Sequence, residues 1–72
     1  MKPDLQPIQI TVDKIGVGWQ AVAWDECGEV ARAWSTDAAR SIGCVKRKAA
    51  KVLRLAESRV LWTVQGSDGM EW

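Results

Sequence analysis

The chain has 72 residues, of which 47% are hydrophobic and 26% charged, and its formal net charge is +1. This composition is typical of globular proteins and excludes disordered and collagen-like chains. A chain this short buries only about 60% of the surface that its unfolded form exposes. We therefore expect one domain over residues 1–72, with a lean core, little room for a deep cleft and an irregular lead-in over residues 1–7.

Targeting signals and cysteine chemistry are also limited by the sequence. The longest hydrophobic runs have three or four residues, whereas a membrane span needs about 20. The first residues lack the apolar stretch of a signal peptide, so we expect a cytoplasmic protein with no membrane partner. In that reducing compartment Cys27 and Cys44 are expected to be free thiols. The chain contains no histidine, and we predict neither a metal site nor a cofactor.

Alternating apolar and polar residues predict the first three strands. Residues 8–13 alternate with period two and are followed by a Gly-Val-Gly break at residues 16–18. Residues 19–24 and 29–34 form two further runs, and the four residues between them end in a glycine that suits a hairpin turn. The sequence therefore predicts a strand followed by a β-hairpin.

The second half of the chain predicts one helix and one more strand. Asp37 and the hydroxyl residues before it are typical N-caps, and the alanine- and lysine-rich stretch up to about Glu57 favours a helix of about 20 residues. Residues 60–65 alternate again, and the turn at 66–69 precedes residues 70–72, which would form a short fifth strand. We expect a small α+β fold of order β-β-β-α-β, with an antiparallel sheet and the helix packed on one face.

The register of the hairpins decides which face of the sheet is the core. With a three-residue loop in the second hairpin, the larger strand residues can share one face under the apolar seam of the helix. That predicted core contains Ile8, Ile10, Val12, Val22, Trp24, Val30, Trp34, Val60, Trp62 and Val64 from the strands, with Ile42, Val45, Ala49, Val52, Leu53 and Ala56 from the helix. A slip of one residue would exchange the two faces.

On this assignment the opposite, open face carries small side chains and one tryptophan. Its residues are Trp19, Ala21, Ala23, Ala31 and Ala33. Such a smooth surface allows another chain to approach closely, and an exposed tryptophan is a common interface anchor. These five residues are the predicted protein interface, and a homodimer is its simplest form. The alternative is an open sheet face that meets only water.

Basic residues dominate the predicted helix. A rotation of 100° per residue places Arg40, Arg47, Lys51 and Arg54 within about 60° of one another, over about 21 Å and opposite the apolar seam. Lys46 and Lys48 flank this stripe, and no acidic residue lies between Asp37 and Glu57. The six basic side chains are candidates for binding nucleic acid phosphates or an acidic protein surface. The alternative is a solvated face that keeps the domain soluble.

Residues typical of catalysis are scarce. Histidine and tyrosine are absent, and both are common general acids and bases. The carboxylates of Asp25, Glu26 and Glu29 cluster at a hairpin tip, where solvent keeps them ionised. The acidic residues around Cys27 disfavour its thiolate, and Cys44 has basic neighbours but no partner that could act as a general base. We therefore predict no catalytic residue, no enzymatic activity and no small-molecule substrate.

One stretch of the chain resembles known DNA-binding families. Gly-Trp-Gln-Ala at residues 18–21, Gly28, and Trp-Ser-Thr-Asp-Ala-Ala at 34–39 are similar to the three-strand-plus-helix pattern of AP2-like and integrase arm-binding domains. Those families read DNA with basic and aromatic side chains on the open sheet face. With Arg32 as the lone basic residue of the hairpin strands, on a face of mostly alanine, that mode of readout is not expected here.

Two further resemblances rest on size and element order. The β-β-β-α-β order is similar to HicB-type antitoxin domains, and the small size resembles phage-encoded inhibitors such as anti-CRISPR proteins. The leading hypothesis is an accessory protein, from a phage or mobile element, whose basic helix engages nucleic acid or a nucleoprotein complex. The alternative is an inhibitor that docks on a host protein complex through the tryptophan-and-alanine sheet face or the basic helix.

Overall fold

The computed structural model of the protein describes residues 5–66. The predicted β-β-β-α-β order and α+β class are confirmed, while the expected fifth strand at residues 70–72 lies outside the described residues. The elements are β1 (Gln6–Ile15), β2 (Gly18–Asp25), β3 (Gly28–Ser35), α1 (Ala38–Leu53), a 3₁₀ turn (Glu57–Arg59) and β4 (Val60–Gly66).

The four strands form one sheet in the order β3-β2-β1-β4. β1, β2 and β3 are consecutive antiparallel neighbours, whereas β4 pairs with β1 in parallel. The sheet is therefore mixed rather than wholly antiparallel. The reason is the helix, which leads the chain from the end of β3 back along the sheet, so that β4 starts at the same end as β1.

β1 begins two residues earlier than the sequence predicts. Gln6 lies opposite Val60 and Pro7 opposite Leu61, so the parallel partner extends the strand into the expected lead-in. Proline is tolerated there because the pairing with β2 starts only at Gln9, which leaves β1 with a neighbour on one side at this point.

The turn between β1 and β2 sets the face of the sheet that becomes the core. Ile15 pairs with Gly18, so the loop has only two residues, Gly16 and Val17. Gly16 has a positive φ of 65°, which glycine adopts without strain. This tight turn places Ile10 opposite Ala23. The predicted face assignment of the hairpin is therefore wrong, because a loop one residue longer or shorter exchanges the faces.

The second hairpin has the strand pairing that the sequence predicts, but it reaches this pairing with a shorter loop and a register shift. Asp25 pairs with Gly28 across a two-residue loop, and a register shift follows between Ala23 and Trp24. Beyond that shift Ala23 lies opposite Ala31, as a three-residue loop would place it. The prediction is wrong at the connection to β1, whose two-residue loop turns the alanine face of the hairpin toward the core.

The alanines of the hairpin form the floor of the core instead of an open surface. Ala21 and Ala23 are fully buried, as are Val45 and Ala49 of α1 above them. Small side chains on the sheet allow the helix to pack closely. The core cluster consists of Ile8, Ile10, Val12, Ala21, Ala23, Ala33, Val45, Ala49 and Val60. The β1 and β4 part of the predicted core is confirmed, since Trp62 and Val64 pack against this cluster.

Several residues assigned to the core lie elsewhere. Trp24 and Trp34 are on the open face, with 39% and 49% of their surface exposed. Val22 is buried, but it lies opposite Arg32 on that same open face. Val52 lies in the last turn of α1 and is 61% exposed, and Ala56 lies beyond the helix end and is exposed.

The helix is capped at both ends and has 16 residues. The side chain of Asp37 accepts hydrogen bonds from the backbone N–H of Ala39 at 2.9 Å and of Arg40 at 3.4 Å, as the predicted N-cap requires. The other end closes at Arg54, a non-glycine residue with a left-handed backbone at φ 57°. This C-cap is typical of helix ends, and it stops the helix short of the expected boundary.

Candidate functional site

Three basic side chains share the outer face of α1. Arg40, Arg47 and Lys51 are exposed, on the side of the helix opposite Val45 and Ala49, which are buried. The three residues span about 16 Å of helix at 1.5 Å per residue. Within residues 5–66, none of them has an acidic side chain at salt-bridge distance. These three residues are called the basic helix face below, and no acidic side chain of the described residues forms an ion pair with them.

Arg54 lies at the end of α1 and not within it. As the C-cap it has φ 57° and ψ 40°, so the helical rotation that placed it in line with Lys51 no longer applies. Its backbone N–H bonds to the carbonyl of Lys51 at 3.2 Å. Arg54 is exposed just beyond the helix end, and its place in the predicted stripe of four residues stays a prediction.

The two flanking lysines are engaged within the domain. Lys48 Nζ donates a hydrogen bond to the backbone oxygen of Arg32 at 3.3 Å, which connects the helix to β3. Lys46 Nζ lies 5.9 Å from the centre of the Trp62 ring, within the range of a cation–π contact. These lysines contribute to the packing of α1 on the sheet as well as to its charge, so they are weaker candidates for an external partner.

The predicted protein interface lies beneath the helix. Ala21, Ala23 and Ala33 are buried in the core, and Ala31 packs against it. Trp19 is half-buried at the edge of this layer, with Lys14 Nζ at 6.0 Å from its ring centre. The alanine surface is therefore not accessible to a partner. The error follows from the exchanged faces, because alanines that would be open are covered by α1.

The open sheet face instead presents two tryptophans, with glutamine and threonine side chains beside them. Trp24 lies opposite Gln9, and Trp34 lies opposite Gln20. Both indoles are fixed by hydrogen bonds from Nε1: Trp24 donates to Thr11 Oγ1 at 2.9 Å and Trp34 to the backbone oxygen of Ile15 at 3.1 Å. Also on this face, by strand register, are Gln9, Thr11, Gln20, Val22, Leu61, Thr63 and Gln65.

Arg32 is held by an ion pair on this face. Its Nε donates to Glu29 Oε2 at 2.8 Å, and its Nη2 contacts the other carboxylate oxygen. The hydrogen bond from Arg32, and secondarily its charge, lower the pKa of Glu29. The same hydrogen bond raises the pKa of Arg32. Since Asp13 also lies on this face, opposite Gln20, the strand residues described on it carry no excess of positive charge for phosphates.

An open depression of about 330 Å³ lies at one end of the open face. The ring of Trp24 and the carboxylate residue Asp25 line it, together with Pro7, Ile8, Gln9 and Thr63. Asp25 Oδ1 is already an acceptor for the backbone N–H of Cys27 at 2.7 Å. The depression is part of the same surface and extends the contact area that Trp24 offers.

The exposed tryptophans are the functional candidates that sequence reasoning missed. Large hydrophobic side chains are usually buried, so the sequence predicts Trp24 and Trp34 in the core. The available signal was the spacing of the first turn, since Gly16 at the first of two loop positions is typical of a tight hairpin. That turn alone would have predicted alanine under the helix and tryptophan outside.

Thiols and carboxylates do not converge in the described part of the chain. Cys27 is exposed, Cys44 is half-buried, and both are free thiols. Within residues 5–66 no group of three or more acidic or cysteine side chains is arranged to hold a metal ion. In the same range, no helix has the length and apolar character that crossing a bilayer requires. The expectation that the chain lacks enzymatic activity stays a prediction.

Comparison with protein-family models, with curated proteins and with solved structures finds no match to this chain. The resemblances to AP2-like, integrase arm-binding, HicB-type and anti-CRISPR proteins therefore stay predictions.

Proposed function

We propose that this domain is a binding module that engages nucleic acid, alone or within a nucleoprotein complex, through Arg40, Arg47 and Lys51. The observation that carries the proposal is the basic helix face itself: three exposed cations on one helix side with no acidic partner in residues 5–66. Surface helices that serve only solubility usually mix both signs of charge. Guanidinium groups also suit bidentate contact with phosphate.

The rest of the charge distribution supports this orientation. Residues 1–37 carry three basic and six acidic side chains, and residues 38–72 carry seven basic and three acidic ones. The acidic groups include Asp25, Glu26 and Glu29 around the β2–β3 turn, whereas the helix has none. In the field of a polyanion this separation favours the orientation in which the helix faces the polyanion and the hairpin tip points away from it.

The test is the salt dependence of binding to a labelled DNA duplex and a labelled single strand. With three phosphate contacts, the logarithm of the affinity should fall with log salt at a slope of about −2.7 for duplex DNA. The triple variant Arg40→Gln, Arg47→Gln, Lys51→Gln should bring this slope close to zero. Glutamine is close to arginine and lysine in helix propensity, so the fold should be retained.

The matched control neutralises the flanking lysines instead. Lys46→Gln with Lys48→Gln removes two charges from the same helix, but from side chains that already contact Trp62 and the backbone of β3. We expect this double variant to keep most of the salt slope. Equal slopes in the wild type and the triple variant would contradict the proposal.

A second candidate, binding of a partner protein, is favoured by the open sheet face. Trp24, Trp34 and Leu61 expose 39%, 49% and 53% of their surface on that face, and exposed aromatic residues often anchor protein interfaces. An inhibitor that docks on a host protein would use this surface, and its binding would respond weakly to salt compared with phosphate contacts.

The two candidates are distinguished by matched variants in a pull-down from source cells. Trp24→Ser with Leu61→Ser should remove a protein partner that docks on the sheet, whereas the triple variant of the basic helix face should keep it. A partner that is lost only with the helix variant, and that carries nucleic acid, supports the first candidate instead.

A further inference from the structure

Gly43 lies inside α1, where glycine is among the poorest helix formers. Its φ is not positive, unlike those of Gly16 and Gly28, so the backbone conformation does not require glycine. Gly43 is exposed. Within residues 5–66, only its two neighbours and the local helix backbone come within 4 Å of the position of a Cβ atom. Neither conformation nor packing within the described domain therefore requires a residue without a side chain here.

The other small residues of α1 are alanines, which are the best helix formers. They are Ala38, Ala39, Ala49 and Ala50. Alanine would also fit at position 43 without a clash, and it would improve the helix. A residue that breaks a local rule in this way, without a gain in packing, is typical of a functional position.

Gly43 lies between two arginines of the basic helix face. It follows Arg40 by three residues and precedes Arg47 by four, and residues at these spacings are neighbours on a helix surface. At 1.5 Å per residue the two arginines are about 10.5 Å apart along the axis. The other position between them is Cys44, a small side chain that packs against the core cluster. The helix backbone is therefore bare between two cations.

We propose that one sugar-phosphate strand of a nucleic acid crosses α1 at Gly43, with Arg40 and Arg47 on either side of it. This contact, which rests on the function proposed above, uses the glycine to bring the strand close to the helix backbone. Close approach places phosphates within reach of both guanidinium groups, which bind phosphate in bidentate fashion. Lys51, about one turn beyond Arg47, provides the third contact. Cations on both sides of the gap favour a polyanion over an apolar segment as its occupant.

The test fills the gap, and it measures stability and DNA binding on the same protein. Gly43→Leu should raise the urea midpoint of unfolding, because leucine is a far better helix former than glycine. The same variant should bind the labelled duplex at least about tenfold more weakly at about 0.1 M salt, and its salt slope should fall from about −2.7 to about −0.9, since both arginine contacts are lost. Gly43→Ala should also stabilise the helix, and its smaller methyl group should weaken binding by less. A variant that is more stable and binds more weakly cannot owe its loss of binding to misfolding.

Ala39→Leu is the matched control. Ala39 is exposed on the same helix, and its side chain is rotated by 100° from Arg40, outside the gap between the two arginines. This variant should bind DNA with the affinity and the salt slope of the wild type. An equal loss of binding in Ala39→Leu would overturn the proposal, because added bulk elsewhere on the helix would then be enough.

The further outcomes distinguish the crossing point from the proposed function. If the triple variant of the basic helix face loses the salt slope but Gly43→Leu binds DNA like the wild type, the crossing point is overturned and nucleic acid binding stands. A wild type that binds no DNA, or a triple variant that keeps the wild-type slope, overturns both. Unchanged DNA binding of Gly43→Leu, together with loss of an acidic protein from the pull-down, would assign the gap to that protein and overturn the proposal as well.

Discussion

The indole ring of Trp34 lies directly against the backbone of Gly18. A Cβ atom at position 18 would overlap ring atoms of Trp34 and the backbone oxygen of Ser35. Gly18 also pairs with Ile15, whose backbone oxygen accepts the hydrogen bond from Trp34 Nε1. Because Gly18 has no side chain, the Trp34 ring on β3 can extend across β2 and donate its hydrogen bond to Ile15 of the first hairpin.

Gly18→Ala should destabilise the domain by about 2 kcal/mol, because the added methyl group meets a ring and a backbone atom that cannot easily move. The measurement is the free energy of unfolding in urea, followed by tryptophan fluorescence. Gly43→Ala is the matched control: nothing lies within 4 Å of its Cβ position. In the helix interior that change should stabilise by about 1 kcal/mol. Equal changes in the free energy of unfolding at the two positions would contradict the close contact between Gly18 and the Trp34 ring.

Ala23→Glu should prevent stable folding. Ala23 has no exposed surface, and a carboxylate there would be buried under α1 without a partner, at a cost of at least about 4 kcal/mol. Far-UV circular dichroism should show a largely unfolded chain. Gln20→Glu, on the open face of the same strand, adds the same charge and should leave the spectrum unchanged. If the Ala23→Glu variant folds, the alanines of the hairpin lie on the open face of the sheet, as the sequence predicts, and not under α1.

Asp37→Ala should lower the free energy of unfolding by about 1 kcal/mol, because two backbone N–H groups at the start of α1 lose their acceptor. Asp37→Asn keeps an acceptor oxygen and should cost clearly less. Thermal or urea unfolding of the three proteins measures both changes. If alanine and asparagine behave alike, the side chain is not the cap.

The pKa of Glu29 should rise towards its ordinary value in the variant Arg32→Gln. The hydrogen bond from Arg32 lowers the pKa of Glu29 in the folded domain. Any stability from this pair is therefore present above the unfolded pKa and is lost as the pH falls through the folded pKa. Carboxyl carbon shifts in an NMR titration measure the pKa directly. An identical titration curve in both proteins would exclude the ion pair in solution.

Sequence reasoning was strongest where the pattern is local. Period-two alternation predicted β1 to β4, and helix propensity with a capping aspartate predicted α1. The outward position of Arg40, Arg47 and Lys51 also followed from sequence, because helical rotation relates residues of one element to one another without reference to the rest of the chain. The same rule no longer fixes the direction of Arg54, because this residue is a left-handed C-cap beyond the last helical residue.

The tertiary structure decided what the sequence left open, namely which face of the sheet meets the helix. Ala23 and Trp24 are neighbours on β2, and their side chains point to opposite faces, so either could have been core. The two-residue turn at Gly16 and Val17 placed Ala23 opposite Ile10, and packing under α1 then favoured the smaller side chain. Register is a relation between strands, and a single residue of loop length reverses it. The alternation of residues along each strand therefore determined two faces for this sheet. Which of the two faces a partner can reach was determined only by the turn between β1 and β2 and by the packing of the helix.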